Sequence, residues 1–73
     1  MEDLKEIVAN NLIFLRKKMG LTQLELAEKL NYSDKAISKW ERGESLPDVE
    51  TLKNIANLFS VVLDYLTSEH KEE

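Results

Sequence analysis

The sequence predicts an all-α fold, on three observations. Apolar residues recur at spacings of three and four, no stretch alternates polar and apolar as a strand does, and glycine and proline are scarce, two and one in 73 residues. Leu4, Ile7, Val8, Leu12 and Leu15 place one face of a first helix, expected to end near Met19 and Gly20. Thr22-Gln23-Leu24-Glu25 can form a capping box, in which Thr22 and Glu25 each satisfy a backbone amide of the other. It opens a short second helix carrying Leu24, Leu26, Ala27 and Leu30 and closing at Asn31, a residue that tolerates the left-handed conformation. Ser33 is a favoured N-cap, Asp34 suits the positive end of the helix dipole, and the third helix is expected to reach Arg42, with Gly43 as its stop. Asp48 caps a fourth helix bearing Val49, Leu52, Ile55, Ala56 and Phe59. After a break at Ser60 to Val62, Leu63 to Leu66 form a fifth. The expected organisation is one five-helix domain over residues 1–66 and a polar tail, 67–73, that frays.

A chain this short supports one core and leaves no second lobe to enclose a substrate. It has no Cys and one His, so neither a disulfide framework, a thiolate metal site nor a nucleophile, base and orienting group can be assembled from it. His70 has no second His or Cys to share a metal; no cofactor and no enzyme activity are expected. The N-terminus lacks the basic start and apolar run of a secretion signal, and nowhere do ~18 apolar residues run together, so the chain reads as cytoplasmic, without a membrane partner. Ten basic against fourteen acidic residues give a net charge of −4, which taken alone argues against a nucleic-acid partner. The distribution reverses that inference. Residues 16–43 hold seven basic and four acidic residues, a net of +3, and the remainder three and ten, a net of −7.

Two short helices joined by Asn31-Tyr32-Ser33, with the small Ala27 where they would cross, have the arrangement of a helix-turn-helix. On a wheel with Ile37 at zero, Trp40 falls at about −60°, while Ser38, Arg42, Lys35 and Lys39 fall at about 100°, 140°, 160° and 200°. The third helix thus has one apolar face and one cationic, hydrogen-bonding face. Side chains of that kind reach phosphates or the O6 and N7 acceptors of guanine in a major groove.

At this point the sequence strongly resembles the lambda-repressor-like, Cro-type helix-turn-helix family, also called the xenobiotic-response-element family, over roughly Leu12 to Leu66. The matching pieces are Leu15-Arg16, Gly20-Leu21-Thr22-Gln23, Leu26-Ala27, Ile37-Ser38-Lys39-Trp40-Glu41-Arg42-Gly43, Pro47, Thr51-Leu52, Ile55-Ala56 and Leu63-Asp64-Tyr65-Leu66. The resemblance implies that Gln23 contacts a DNA phosphate, that Thr22 contributes its hydroxyl or the nearby helix amides, and that Asp34, Lys35 and Lys39, with Ser38 beside them, reach base edges. It implies an Arg16–Glu41 pair that orients the arginine toward the backbone, and a loop of Arg42, Gly43 and Ser45 lying along the phosphates. Ser33, at the N-terminus of the reading helix, belongs to the same set. Two departures stand out: the family's turn glycine is Asn31, and its usual Gly and Ser before the last helix are Ser60 and Val62.

Each of these residues also has a simpler reading. Charges on a helix are by default solvated, but Lys35, Lys39 and Arg42 share one face of the helix that carries the turn. Asp34 either stabilises its helix N-terminus or accepts from a cytosine amino group, and Ser38 meets a base, a phosphate or water. Trp40, beside Ile37, belongs to the core rather than to a base-stacking platform. Ile13 and Phe14 lie off the main apolar stripe and either cover the core edge, the favoured reading, or form part of a subunit contact; Val61, Val62 and Tyr65 are a candidate apolar patch for dimerisation. The expected function is sequence-specific binding of double-stranded DNA by a transcriptional regulator, most simply a repressor, acting as a homodimer on a pseudo-palindromic operator. The alternatives are an antitoxin-like component with a protein partner, an interaction module that has lost DNA binding, and the excised DNA-binding domain of a longer regulator, although Met1 fits a natural start.

Overall fold

The computed structural model describes residues 3–70. Five helices follow in order: α1 (Leu4–Lys18), α2 (Gln23–Leu30), α3 (Asp34–Glu41), α4 (Val49–Leu58) and α5 (Leu63–Leu66), with no strand among the described residues. The N-terminal signals form as expected. Thr22 Oγ1 accepts from the Glu25 amide at 3.0 Å while Glu25 Oε1 accepts from the Thr22 amide at 2.9 Å, completing the capping box. Ser33 accepts from the Ala36 amide and Asp48 from the Thr51 amide. Hydrogen bonding to Thr51, through its side chain and its amide, holds the Asp48 carboxyl below the usual carboxylate range.

The first four helices end by one device. Gly20, Asn31, Gly43 and Ser60 adopt left-handed φ angles of 73°, 62°, 74° and 59°. The following amide then reaches back five residues, Leu21 to Arg16, Tyr32 to Ala27, Glu44 to Lys39 and Val61 to Ala56, as in the Schellman motif. Ser60 therefore occupies a conformation in which its Cβ is unfavourable, and Val62, the N-cap of α5, makes no side-chain cap bond. These are the two positions before the last helix at which the chain departs from the family pattern. Ser60→Gly and Val62→Ser are each expected to raise stability by about 1 kcal/mol, read as a higher urea midpoint at unchanged slope.

Helix α1 packs on α3 and α5, α2 crosses α3, and α4 closes the far side against α2 and α5. Leu12, Leu26, Ala27, Ile37, Ile55 and Leu66 are fully buried at the centre. Ala27 is fully buried on α2, which packs on α3, as a small residue near their crossing would be. Trp40, 6% exposed, is core, its ring edge-to-face with Tyr32 at 5.1 Å; the Tyr32 hydroxyl in turn bonds Thr51 Oγ1 at 2.8 Å and ties the turn to α4.

Several expected core positions are instead exposed: Leu4 at 42%, Leu24 at 54% and Val49 at 67%. Each falls in the first turn of its helix, and Leu24 lies away from the side of Leu26 and Leu30 on the α2 wheel. Phe14 is exposed on the outside of α1, under the Lys18 ammonium at 5.8 Å from its ring centroid, while Ile13 is half-buried. The described part of the tail, as far as His70, makes contacts with the domain. Buried Asn11 donates from Nδ2 to the carbonyls of Tyr65, Leu66 and Ser68 at 2.9–3.1 Å, and His70 stacks on Tyr65 at 3.9 Å. The orphan carbonyls at the end of α5 are thus capped by a side chain from α1. Lys71 to Glu73 lie outside the described residues.

Candidate nucleic-acid interface

Helix α3 buries Ile37, Trp40 and Glu41 and leaves Asp34, Lys35 and Lys39 exposed, with Ser38 half-buried between them. Eight residues give a rod of about 12 Å, the width of a B-DNA major groove. Ser33 at its N-cap and Thr22 at the N-cap of α2 are both exposed. Their oxygens accept from backbone amides, which leaves each hydroxyl hydrogen free to donate to a phosphate. The structure therefore brings Thr22, Ser33, Asp34, Lys35, Ser38 and Lys39 onto or beside the outer side of one helix pair.

Arg16 lies behind that face. Its side chain is 13% exposed, and all three guanidinium nitrogens are engaged: Nε and Nη2 donate to the two oxygens of Glu41 at 2.6 and 3.0 Å, and Nη1 donates to the Leu21 carbonyl at 2.8 Å. The α1–α3 pair implied by the resemblance is present in bidentate form. Glu41 also accepts from Gln23 Nε2 at 2.9 Å, a bond that sequence reasoning missed. Gln23 is thus held at the start of α2 by a carboxylate of α3, with a second amide hydrogen and its carbonyl oxygen left over. The signal in the sequence is only that Gln23, Glu41 and Arg16 sit on elements expected to converge.

At the far end of α3, Arg42 is exposed, and so is its partner. Its Nε and Nη2 donate to Glu44 Oε2 and Oε1 at 2.8 and 3.2 Å, and Nη1 donates to Ser38 Oγ. The hydrogen bond to Arg42, and then its charge, hold the Glu44 carboxyl below the usual carboxylate range, and the same bond raises the guanidinium. Because the folded value of Glu44 is depressed, the pair is fully formed at neutral pH and is lost as pH falls through that lowered value. Ser45 follows, half-buried in the loop. Gly43 brings this loop against α1, where a Cβ would stand 3.7 Å from Glu6 Cγ.

A capped pair of short helices joined by a tight turn, with a cationic outer face and a buried ion pair behind it, is the arrangement of a helix-turn-helix. More particularly, the chain belongs to the HTH_3 helix-turn-helix family, which its residues 12–66 match. It is 52% identical over 54 residues to the HTH-type transcriptional activator BcrR of Enterococcus faecalis, covering 74% of this chain and 26% of that protein. It is 47% identical over 51 residues to the HTH-type transcriptional regulator ImmR of Bacillus subtilis (strain 168), covering 70% and 40%. The chain thus spans less than half the length of these two relatives. Its fold is similar to the solution structure of the SOS-response transcriptional repressor LexA from Eubacterium rectale, with a TM-score of 0.90 and 25% identity over 99% of this chain and 77% of that one.

Proposed function

We propose that the chain recognises a specific double-stranded DNA sequence by inserting α3 into the major groove, and that it regulates transcription, most simply as a repressor whose operator overlaps a promoter. The observation that carries the reading is the exposed Lys35 and Lys39 of α3 with half-buried Ser38 between them, on a helix anchored by the buried Ile37 and Trp40. Lys35 and Lys39 supply donors to base edges. Asp34 supplies an acceptor for a cytosine amino group. Thr22, Gln23, Ser33, Arg42 and Ser45 contact the phosphates on either side, while Arg16 acts through Glu41 as a positioning residue.

One eight-residue helix reads few base pairs. Two copies on half-sites about 34 Å apart supply the rest, so the working form is a homodimer on a pseudo-palindrome. The cytoplasm, where chromosomal or phage DNA is accessible, is the expected compartment; no described helix is long and apolar enough to cross a membrane.

Lys35→Ala or Lys39→Ala is expected to cost ~1 to 3 kcal/mol on the preferred duplex and to relax preference at one base pair. Gln23→Ala is expected to weaken binding evenly across sequences. Titration of each variant with a preferred and a scrambled duplex at one stated salt concentration separates the two kinds of contact. Equal losses on both duplexes for every variant would remove the groove-reading assignment.

A further inference from the structure

We propose that Glu44 is an internal competitor for DNA phosphate, occupying the Arg42 guanidinium that the interface otherwise presents to the backbone. The proposal rests on the DNA reading above. Arg42 is the last cation at the end of α3 and one of the interface's candidate phosphate contacts. In the free protein its Nε and Nη2 face a carboxylate with the two-point geometry that a phosphate would use, and its Nη1 is turned to Ser38. Both side chains are about half exposed, 54% and 52%, so a phosphate can reach the pair and exchange with Glu44 without unfolding anything.

The exchange has two consequences. Arg42 gains a phosphate only by losing Glu44, so its net contribution to binding is smaller than that of an unpaired arginine. The released Glu44 carboxylate then stands near the backbone and repels it. Both effects lower affinity for any duplex. Ser38 is drawn in as well: Arg42 donates to its Oγ, so departure of the guanidinium toward a phosphate returns one acceptor lone pair to Ser38, whose hydroxyl hydrogen is free to donate in either state.

The test is a double-mutant cycle in duplex titrations at low salt, with circular dichroism confirming the fold of each variant. Glu44→Gln is nearly isosteric, lies outside the core and keeps the loop backbone. It is expected to tighten binding to scrambled duplex about 2- to 5-fold, the range of an exposed ion pair. Arg42→Ala is expected to weaken binding more when combined with Glu44→Gln than when introduced alone. The advantage of Glu44→Gln is expected to shrink when Arg42→Ala is already present, and at high salt. Equal losses from Arg42→Ala with and without Glu44→Gln would show that Glu44 acts only as a diffuse charge, and weaker binding by Glu44→Gln would show that it orients Arg42 for DNA; either overturns the proposal. If Lys35→Ala, Lys39→Ala and the Glu44 variants all leave duplex binding unchanged, the DNA reading fails and this role fails with it.

Discussion

Trp40→Ala is expected to lower stability by roughly 3 to 5 kcal/mol, a large part of what a chain this small has and enough to unfold it if that total lies at the low end for its size. Trp40 is the largest side chain of the core, and its truncation removes the α3 anchor that touches both the turn, through Tyr32, and the layer beneath. Large-to-small changes of this kind cost roughly 3 to 5 kcal/mol. At about 0.05 to 0.15 kcal/mol per residue, a chain of 73 residues has only about 4 to 11 kcal/mol in all. The tie from Tyr32 to Thr51 loses its support at the same time, so the loss extends to the α4 contact. Circular dichroism and urea titration measure the effect, with Trp40→Phe, which keeps a ring in the site, expected to stay folded at reduced stability. A Trp40→Ala variant as stable as the parent would contradict the core placement.

The second large effect belongs to Glu41→Ala. Its carboxylate accepts from Arg16 twice and from Gln23 once, with its own side chain 5% exposed. Removal leaves the Arg16 guanidinium, 13% exposed, with the Leu21 carbonyl as its remaining protein acceptor. Breaking such a pair from one side costs about 3 to 5 kcal/mol, most of it the penalty of an uncompensated charge. Replacing both partners, Arg16→Met with Glu41→Leu, is therefore expected to restore most of the stability while leaving DNA binding impaired, because Gln23 has lost its anchor at the start of α2. Urea titration and duplex titration on the parent, the Glu41→Ala variant and the double variant separate the two roles. Full DNA affinity in the restored double variant would show that the network stabilises the fold and positions nothing.

The parts of the architecture legible in the sequence are those set by local chemistry. Thr22 with Glu25 at the opening of one segment, Ser33 and Asp48 before apolar periodicity, and Gly20, Asn31 and Gly43 after it mark helix ends because caps and left-handed residues act within a few residues of themselves. Ser60 is legible only as a break, since serine gives no sign of a left-handed φ until Val61 must reach Ala56. Groups whose partners are distant in the chain stay hidden. Asn11 reads as a polar interruption of α1, and its carbonyl partners lie 54 to 57 residues away. The Gln23–Glu41 bond needs the α2–α3 crossing, and the engagement of Arg42 by Glu44 needs the turn at Gly43. The acidic balance misleads for a related reason: net charge carries no position, whereas seven of the ten basic residues fall between 16 and 43.

The central claim is that α3 reads DNA sequence, and selection of bound duplexes from a random pool tests it most directly. The expected result is an enriched pseudo-palindromic element, with the preference at one base pair of each half-site relaxed by Lys35→Ala and at another by Lys39→Ala. A folded protein that enriches no sequence, or whose enriched element is unchanged by both substitutions, would contradict it.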